Sequence, residues 1–158
     1  MKKILTIVLC IVCTFSAFSV NVFAEEAQTD VYTDIEYLDD GYYIVTTVVI
    51  EDANPVMRAT YGKTGAKTST LYNADDEAMV TLKLTASFSY TGTSSNCTSA
   101  STSYTIHEDS WKVTSATATK SGNKATGNFT SKHYVLLIPV QTINSTITLT
   151  CSNTGVLS

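Results

Sequence analysis

From Ala78 to Tyr90 the side chains alternate without interruption. Val80, Leu82, Leu84, Ala86, Phe88 and Tyr90 are apolar or aromatic, whereas Thr81, Lys83, Thr85, Ser87 and Ser89 between them are polar. Successive side chains of an extended strand point to opposite faces, so this run has one face for a core and one for water. Ile143 to Cys151 repeats the pattern, with Ile143, Ile147, Leu149 and Cys151 on the apolar side and Thr146, Thr148 and Thr150 on the other. Tyr42–Ile50, Cys97–Ile106, Trp111–Thr119 and Ala125–Val140 are similarly rich in β-formers, and shorter strands fit near Arg58–Tyr61 and Ser69–Asn73. Asp39-Asp40-Gly41, the run Thr91–Asn96 and Ser121-Gly122-Asn123 supply turns between them. Pro139 has no N–H to donate and should end pairing or mark an edge or bulge. No window after the N-terminal segment has helical periodicity. Seven or so short strands with regular turns predict an all-β fold, an antiparallel β-sandwich.

The first residues describe a different environment. Lys2 and Lys3 precede an apolar stretch from Ile4 to Val20, and Val22-Phe23-Ala24 places small residues where a signal peptidase reads them, followed by Glu25-Glu26. This order is that of a secretory signal peptide over residues 1–24, cut between Ala24 and Glu25. The same stretch approaches the length of a short spanning helix, and an uncleaved anchor is the competing reading. Removing 24 of the 158 residues leaves 134, enough for one domain with a core. No second run is long and apolar enough to span a membrane, so the mature chain is expected to be released and extracellular.

Charge divides the mature chain. Residues 25–54 carry nine acidic side chains and no Lys or Arg, whereas residues 55–158 carry all eight remaining basic residues and five acidic ones. The sequence is therefore read as an acidic N-terminal segment, 25–54, with a first strand inside it, and a sandwich body, 55–158, that forms a single domain with 42–54. The acidic segment reads as a solvated leader; docking onto the basic remainder, or removal as a propeptide near Arg58, are the alternatives. Eight basic against fourteen acidic residues give the mature chain a net charge of −6, which argues against nucleic acid and against an anionic membrane, and no membrane partner is expected once the signal is removed.

Two of the four cysteines leave with the signal, and Cys97 and Cys151 remain. In an oxidising compartment such a pair is expected to form a disulfide, and closing a loop of this length would contribute about 4 kcal/mol by chain entropy alone. Two free buried thiols are the alternative. Cys97, Trp111 and Cys151 also follow the order of the cysteine–tryptophan–cysteine signature of immunoglobulin domains, although Leu149 stands where that family places tyrosine. The sandwich is accordingly expected to be immunoglobulin-like in a loose sense.

From Tyr61 to Ser158 the chain resembles small exported proteins of Gram-positive gut and soil bacteria. The residues that carry the likeness are Gly62-Lys63-Thr64, Phe88-Ser89-Tyr90-Thr91-Gly92, Asn96-Cys97-Thr98-Ser99, Trp111-Lys112-Val113, Lys120–Ala125 and Thr148–Ser152. The resemblance implies a bacterial, secreted, disulfide-bearing β domain and transfers no catalytic residue, cofactor or activity.

The residues themselves identify no reaction. Gly62-Lys63-Thr64 lacks the earlier glycine of a phosphate loop, because Met57 occupies that position. His107 and His133 are the only histidines, and no serine lies in Gly-x-Ser-x-Gly. A small secreted hydrolase using His107 or His133 needs one of them beside both a hydroxyl and a carboxylate. Asp75-Asp76-Glu77 and Glu108-Asp109 lack the rhythm of a calcium loop, and no metal or cofactor is expected. Ser and Thr make up roughly a third of the mature chain and tyrosines are frequent, a composition suited to contact with an extracellular glycan or protein surface. The expectation is thus a non-enzymatic extracellular binding or structural module. Its mature N-terminus should be Glu25. Intact-mass measurement of the secreted protein checks this, and a start beyond Arg58 would identify a propeptide instead.

Overall fold

The computed structural model describes residues 31–38, 41–51 and 60–158. The signal peptide, its cleavage site at Ala24 and Glu25, and Arg58 lie outside them. Eight strands follow one another: β1 (Val31–Tyr37), β2 (Tyr43–Glu51), β3 (Tyr61–Tyr72), β4 (Ala78–Tyr90), β5 (Ser95–Ile106), β6 (Trp111–Ser121), β7 (Lys124–Val135) and β8 (Ile138–Thr150). They form a five-stranded sheet in the order β1-β2-β3-β4-β5 and a three-stranded sheet in the order β6-β7-β8, antiparallel throughout.

Each hydrogen-bonded neighbour is also the neighbour in sequence, so the chain is a meander folded once, between β5 and β6. This differs from the expected immunoglobulin-like arrangement, whose strands cross between sheets in a Greek key. Apart from β6, each strand after the first pairs with its predecessor in the same sheet, and among the described residues the chain passes between the sheets at residues 107–110. In such a meander alternate turns share an end. The β1–β2, β3–β4, β5–β6 and β7–β8 turns lie at what we term the distal end. The backbone N–H of Tyr134 donates to the carbonyl of Ser110 there (2.8 Å), and that of His107 to Met79 (3.0 Å).

The alternation read from the sequence sets the inner faces. On β4, Val80, Leu82, Leu84, Ala86 and Phe88 are buried, and on β8 so are Ile147, Leu149 and then Cys151. They meet Ala125 and Phe129 of β7 in one cluster, which Val48 and Ile50 of β2 and Leu71 of β3 extend. The sheets come close at Gly127, where a Cβ would lie 3.1 Å from Thr102 Cγ2 and 3.4 Å from Leu84 Cδ1. Trp111 (1 % exposed) closes the core toward the distal end. At the other end the chain after β8 folds back, Cys151 bridging to Leu157, whose side chain sits over Gly65.

Three elements differ from the sequence reading. A single strand, β3, runs from Tyr61 to Tyr72 through the region where two short strands were expected, and Gly62 lies inside it. The acidic segment contributes β1, paired along its whole length with β2 (Asp34 opposite Thr46, Glu36 opposite Ile44). Its described side chains are exposed, and an acidic, solvated edge strand is protected against pairing with another chain. Ala125–Val140, read as one segment, reverses direction at Leu136-Leu137 and is split between β7 and β8.

Leu84 is wholly buried on the inner face of β4, and Lys83 faces water from the same strand. Leu84→Ala should lower the unfolding free energy by about 3 kcal/mol, and Lys83→Ala by less than about 0.5 kcal/mol. Urea denaturation followed by Trp111 fluorescence measures both.

Candidate binding surface at the distal end

Inner-face residues fix the register of the β7–β8 hairpin. Phe129 lies opposite Ser145, Gly127 opposite Ile147 and Ala125 opposite Leu149, and a slip of one residue would turn this buried set outward. With the pairing fixed, a register shift at His133/Tyr134 brings Tyr134 opposite Pro139 and Val135 opposite Ile138. Only Leu136 and Leu137 are left to reverse the chain. Both take positive φ, 49° and 70°. A two-residue hairpin turn with both residues at positive φ is ordinarily built from Asn and Gly. Leucine pays about 1–2 kcal/mol there, because its Cβ crowds the following carbonyl.

The tip is also bare. Leu136 is 91 % and Leu137 87 % exposed, and Val135, Ile138 and Val140 around them are exposed as well. Conformations of this kind persist only where the surrounding structure imposes them, and they gather at sites of contact. The signal in the sequence was the unbroken apolar run Val135–Val140; what hid it was the absence of any Gly or Asn to mark a turn.

Immediately behind the tip stand larger groups. Lys112 holds its Nζ 5.1 Å from the centre of the Tyr134 ring, a cation–π contact between neighbouring strands. Lys132 is paired with Lys112 across β6 and β7. On the inner side His133 stacks on Trp111 (5.0 Å, 7° between planes), and Tyr42 meets the same indole edge-on at 6.1 Å.

The tyrosines considered for a glycan surface are partly brought together. Tyr37, Tyr43 and Tyr72 form a row across β1, β2 and β3, with centroids 6.0 and 5.1 Å apart, and the second pair is nearly parallel. The stacked faces of Tyr43 and Tyr72 cover each other, and Tyr37 is the most exposed ring of the three, at 79 %. The Tyr43 hydroxyl donates to Asp76 Oδ1 (2.8 Å). That bond raises the Tyr43 pKa, with desolvation adding to it. Asp76, at φ 62°, lies in a turn organised by Asn73, whose Oδ1 accepts from the N–H groups of Asp75 and Glu77. Of the acidic run, Glu77 Oε2 thus accepts from the Asn73 amide (2.9 Å) and Asp76 from Tyr43.

Neither histidine meets the requirement for a hydrolytic site. His107 Nε2 shares a 2.9 Å hydrogen bond with Thr81 Oγ1, and His133 has its stacking contact with Trp111. Among the described residues neither ring is paired with a carboxylate. Nor, among those residues, do three His, Cys, Asp or Glu side chains converge as metal ligands would.

Cys97 and Cys151 differ from the expected disulfide. Both are buried and both are free thiols. Each Sγ is turned to a carbonyl on its own stretch of chain, Cys97 to Ser99 (3.3 Å) and Cys151 to Ser152 (3.4 Å), and not to the other sulfur. Their backbone N–H groups nevertheless donate to adjacent residues of the β6–β7 turn, Cys97 to Gly122 and Cys151 to Asn123. Burial pushes the Cys97 thiol pKa up.

Comparison with protein-family models, curated proteins and solved structures returned no match.

Two expectations follow from the raised pKa values. Because the folded Tyr43 has the higher pKa, its bond stabilises the protein below the ordinary tyrosine pKa and is lost as pH rises through the folded value. Asp76→Ala should therefore shift the highest-pH tyrosine ionisation, read at 295 nm, to lower pH. The reduced protein should resist alkylation by iodoacetamide at neutral pH and react at least 100-fold faster in denaturant, since the thiolate is the nucleophile and Cys97 is held neutral and covered.

Proposed function

We propose that this chain is an exported binding module without chemistry of its own, acting outside the cell through the distal end of its sandwich. The leader read from Lys2 to Ala24 supports export, and the likeness of residues 61–158 to small exported proteins supports a Gram-positive bacterial source. The observation that carries binding is the β7–β8 tip, where two strained leucines are held almost fully in solvent. A soluble domain gains nothing from that arrangement in isolation. Asn and Gly at the same positions would relieve the backbone and remove the apolar exposure together.

A glycan surface built on the tyrosine row is the weaker form of this reading, because those rings engage one another. A hydrolase at His107 or His133 draws no support from their surroundings. In the oxidising medium outside the cell we expect Cys97 and Cys151 to cross-link by rotation of their side chains, their backbones being tied to neighbouring residues of one turn. The secreted protein would then be lighter by two hydrogens and silent to thiol reagents after unfolding.

Leu136→Asn/Leu137→Gly is the decisive variant. It should unfold at higher denaturant, gaining about 1–2 kcal/mol from the relieved turn, and lose saturable binding of the fluorescently labelled protein to intact cells. Unchanged cell binding by this folded variant would overturn the tip as the contact site.

A further inference from the structure

The shape and surroundings of the tip specify its partner more narrowly. We infer that the β7–β8 hairpin is a shallow bilayer anchor, its aliphatic tip entering the interfacial region of a lipid membrane; this rests on the tip being the contact site proposed above.

The first argument is the order of residue types along the hairpin. Leu136 and Leu137 lead, with Val135 and Ile138 paired behind them. Tyr134 comes next, with the Lys112 ammonium against its ring, and Lys132 follows. At about 3.3 Å per residue, Tyr134 stands about 7 Å behind Leu136 and Lys132 about 13 Å behind. Apolar side chains buried about 5–10 Å in the headgroup–acyl boundary would thus bring the Tyr134 ring to headgroup level and leave the ammonium groups in water. Tyrosine is enriched at that level because one end of its ring system is apolar and the other wet, and lysine stems lie along apolar surface with the charge outside.

The second argument is size. A stable protein–protein contact takes about 20–30 residues from each side. The tip offers the six residues Val135–Val140, on a two-stranded projection beyond the last β6–β7 pair at Trp111 and His133. A fluid phase needs no complementary shape, so a narrow wedge suffices for lipid where it would not for a protein surface.

Charge then selects the lipid. Net charge argued against an anionic membrane, and the structure sharpens this, since Asp75, Asp76, Glu77, Glu108 and Asp109 all lie in turns of the distal end. Anchoring by the tip is apolar, so it should favour zwitterionic lipid and persist in salt.

The test is co-sedimentation of the secreted protein with sucrose-loaded phosphatidylcholine vesicles. Wild type should sediment with them at 0.1 M and at about 1 M NaCl alike, as screening over a Debye length would not touch an apolar contact. Replacing a third of the lipid by phosphatidylglycerol should weaken binding. Leu136→Asn/Leu137→Gly should bind at least tenfold more weakly, as should Leu136→Ser/Leu137→Ser, which keeps the loop length without the glycine. Ile138→Trp should show blue-shifted emission on vesicles above the constant signal of the buried Trp111. Variants that sediment as well as wild type, or binding abolished by salt, would overturn the anchor. Tip-dependent binding to cells without binding to vesicles would also overturn it, in favour of a protein partner, and would leave the proposed function standing.

Discussion

The contact between the inner faces of the two sheets governs the rest of this structure. Leu84 and Phe88 on one side and Phe129, Ile147 and Leu149 on the other are removed from water together. Each strand contributes with a period of two, so the contact admits one register per pair; a shift by one residue would exchange Leu84, Ile147 and Leu149 for threonine or lysine. The close approach at Gly127 and the Leu157 side chain over Gly65 belong to the same constraint. Backbone positions far from the core are thereby fixed by what the core demands.

The β7–β8 turn shows how far that reaches. Leucine pairs do not favour positive φ, and nothing local selects Leu136-Leu137 as a turn. They turn because the paired segments on either side are already committed to the core and only two residues remain between them. Strain of this origin is affordable in a domain whose burial exceeds it, and a local rule broken without local compensation is where function is to be sought. The same end of the molecule gathers the single tryptophan, both histidines and the turn acids. Trp111 meets His133 and Tyr42, His107 meets Thr81 and Asp76 meets Tyr43, whereas the aliphatic tip stands in solvent.

Much of the candidate surface was present in the sequence without being recognisable there. The apolar run Val135–Val140 stood in plain view, but a strand and a hairpin tip have the same composition when the turn carries no glycine or asparagine. The tyrosines were rightly seen as numerous, yet a row of rings facing each other and a platform of rings facing solvent cannot be told apart by counting. Cys151 falls on an apolar face as expected, and Cys97 is buried as well. Where their sulfur atoms point depends on the carbonyls of Ser99 and Ser152, which no spacing encodes. The immunoglobulin-like order of cysteine, tryptophan and cysteine reflects three buried positions and no shared connectivity.

By itself the sequence determined what is local: extended backbone almost throughout, the inward and outward faces of β4 and β8, the turns at Gly41, Gly92 and Gly122, and a leader with the form of an export signal. These depend on side chains within a few residues of each other, and a period of two needs no knowledge of the partner strand. The tertiary structure alone decided the meander order, the recruitment of the acidic β1 as an edge, the reversal at Leu136-Leu137 and the facing of Tyr43 on Tyr72. Each of those is settled by which surfaces meet. That choice is made by the whole buried area at once, and a short segment carries too little of it to betray the outcome.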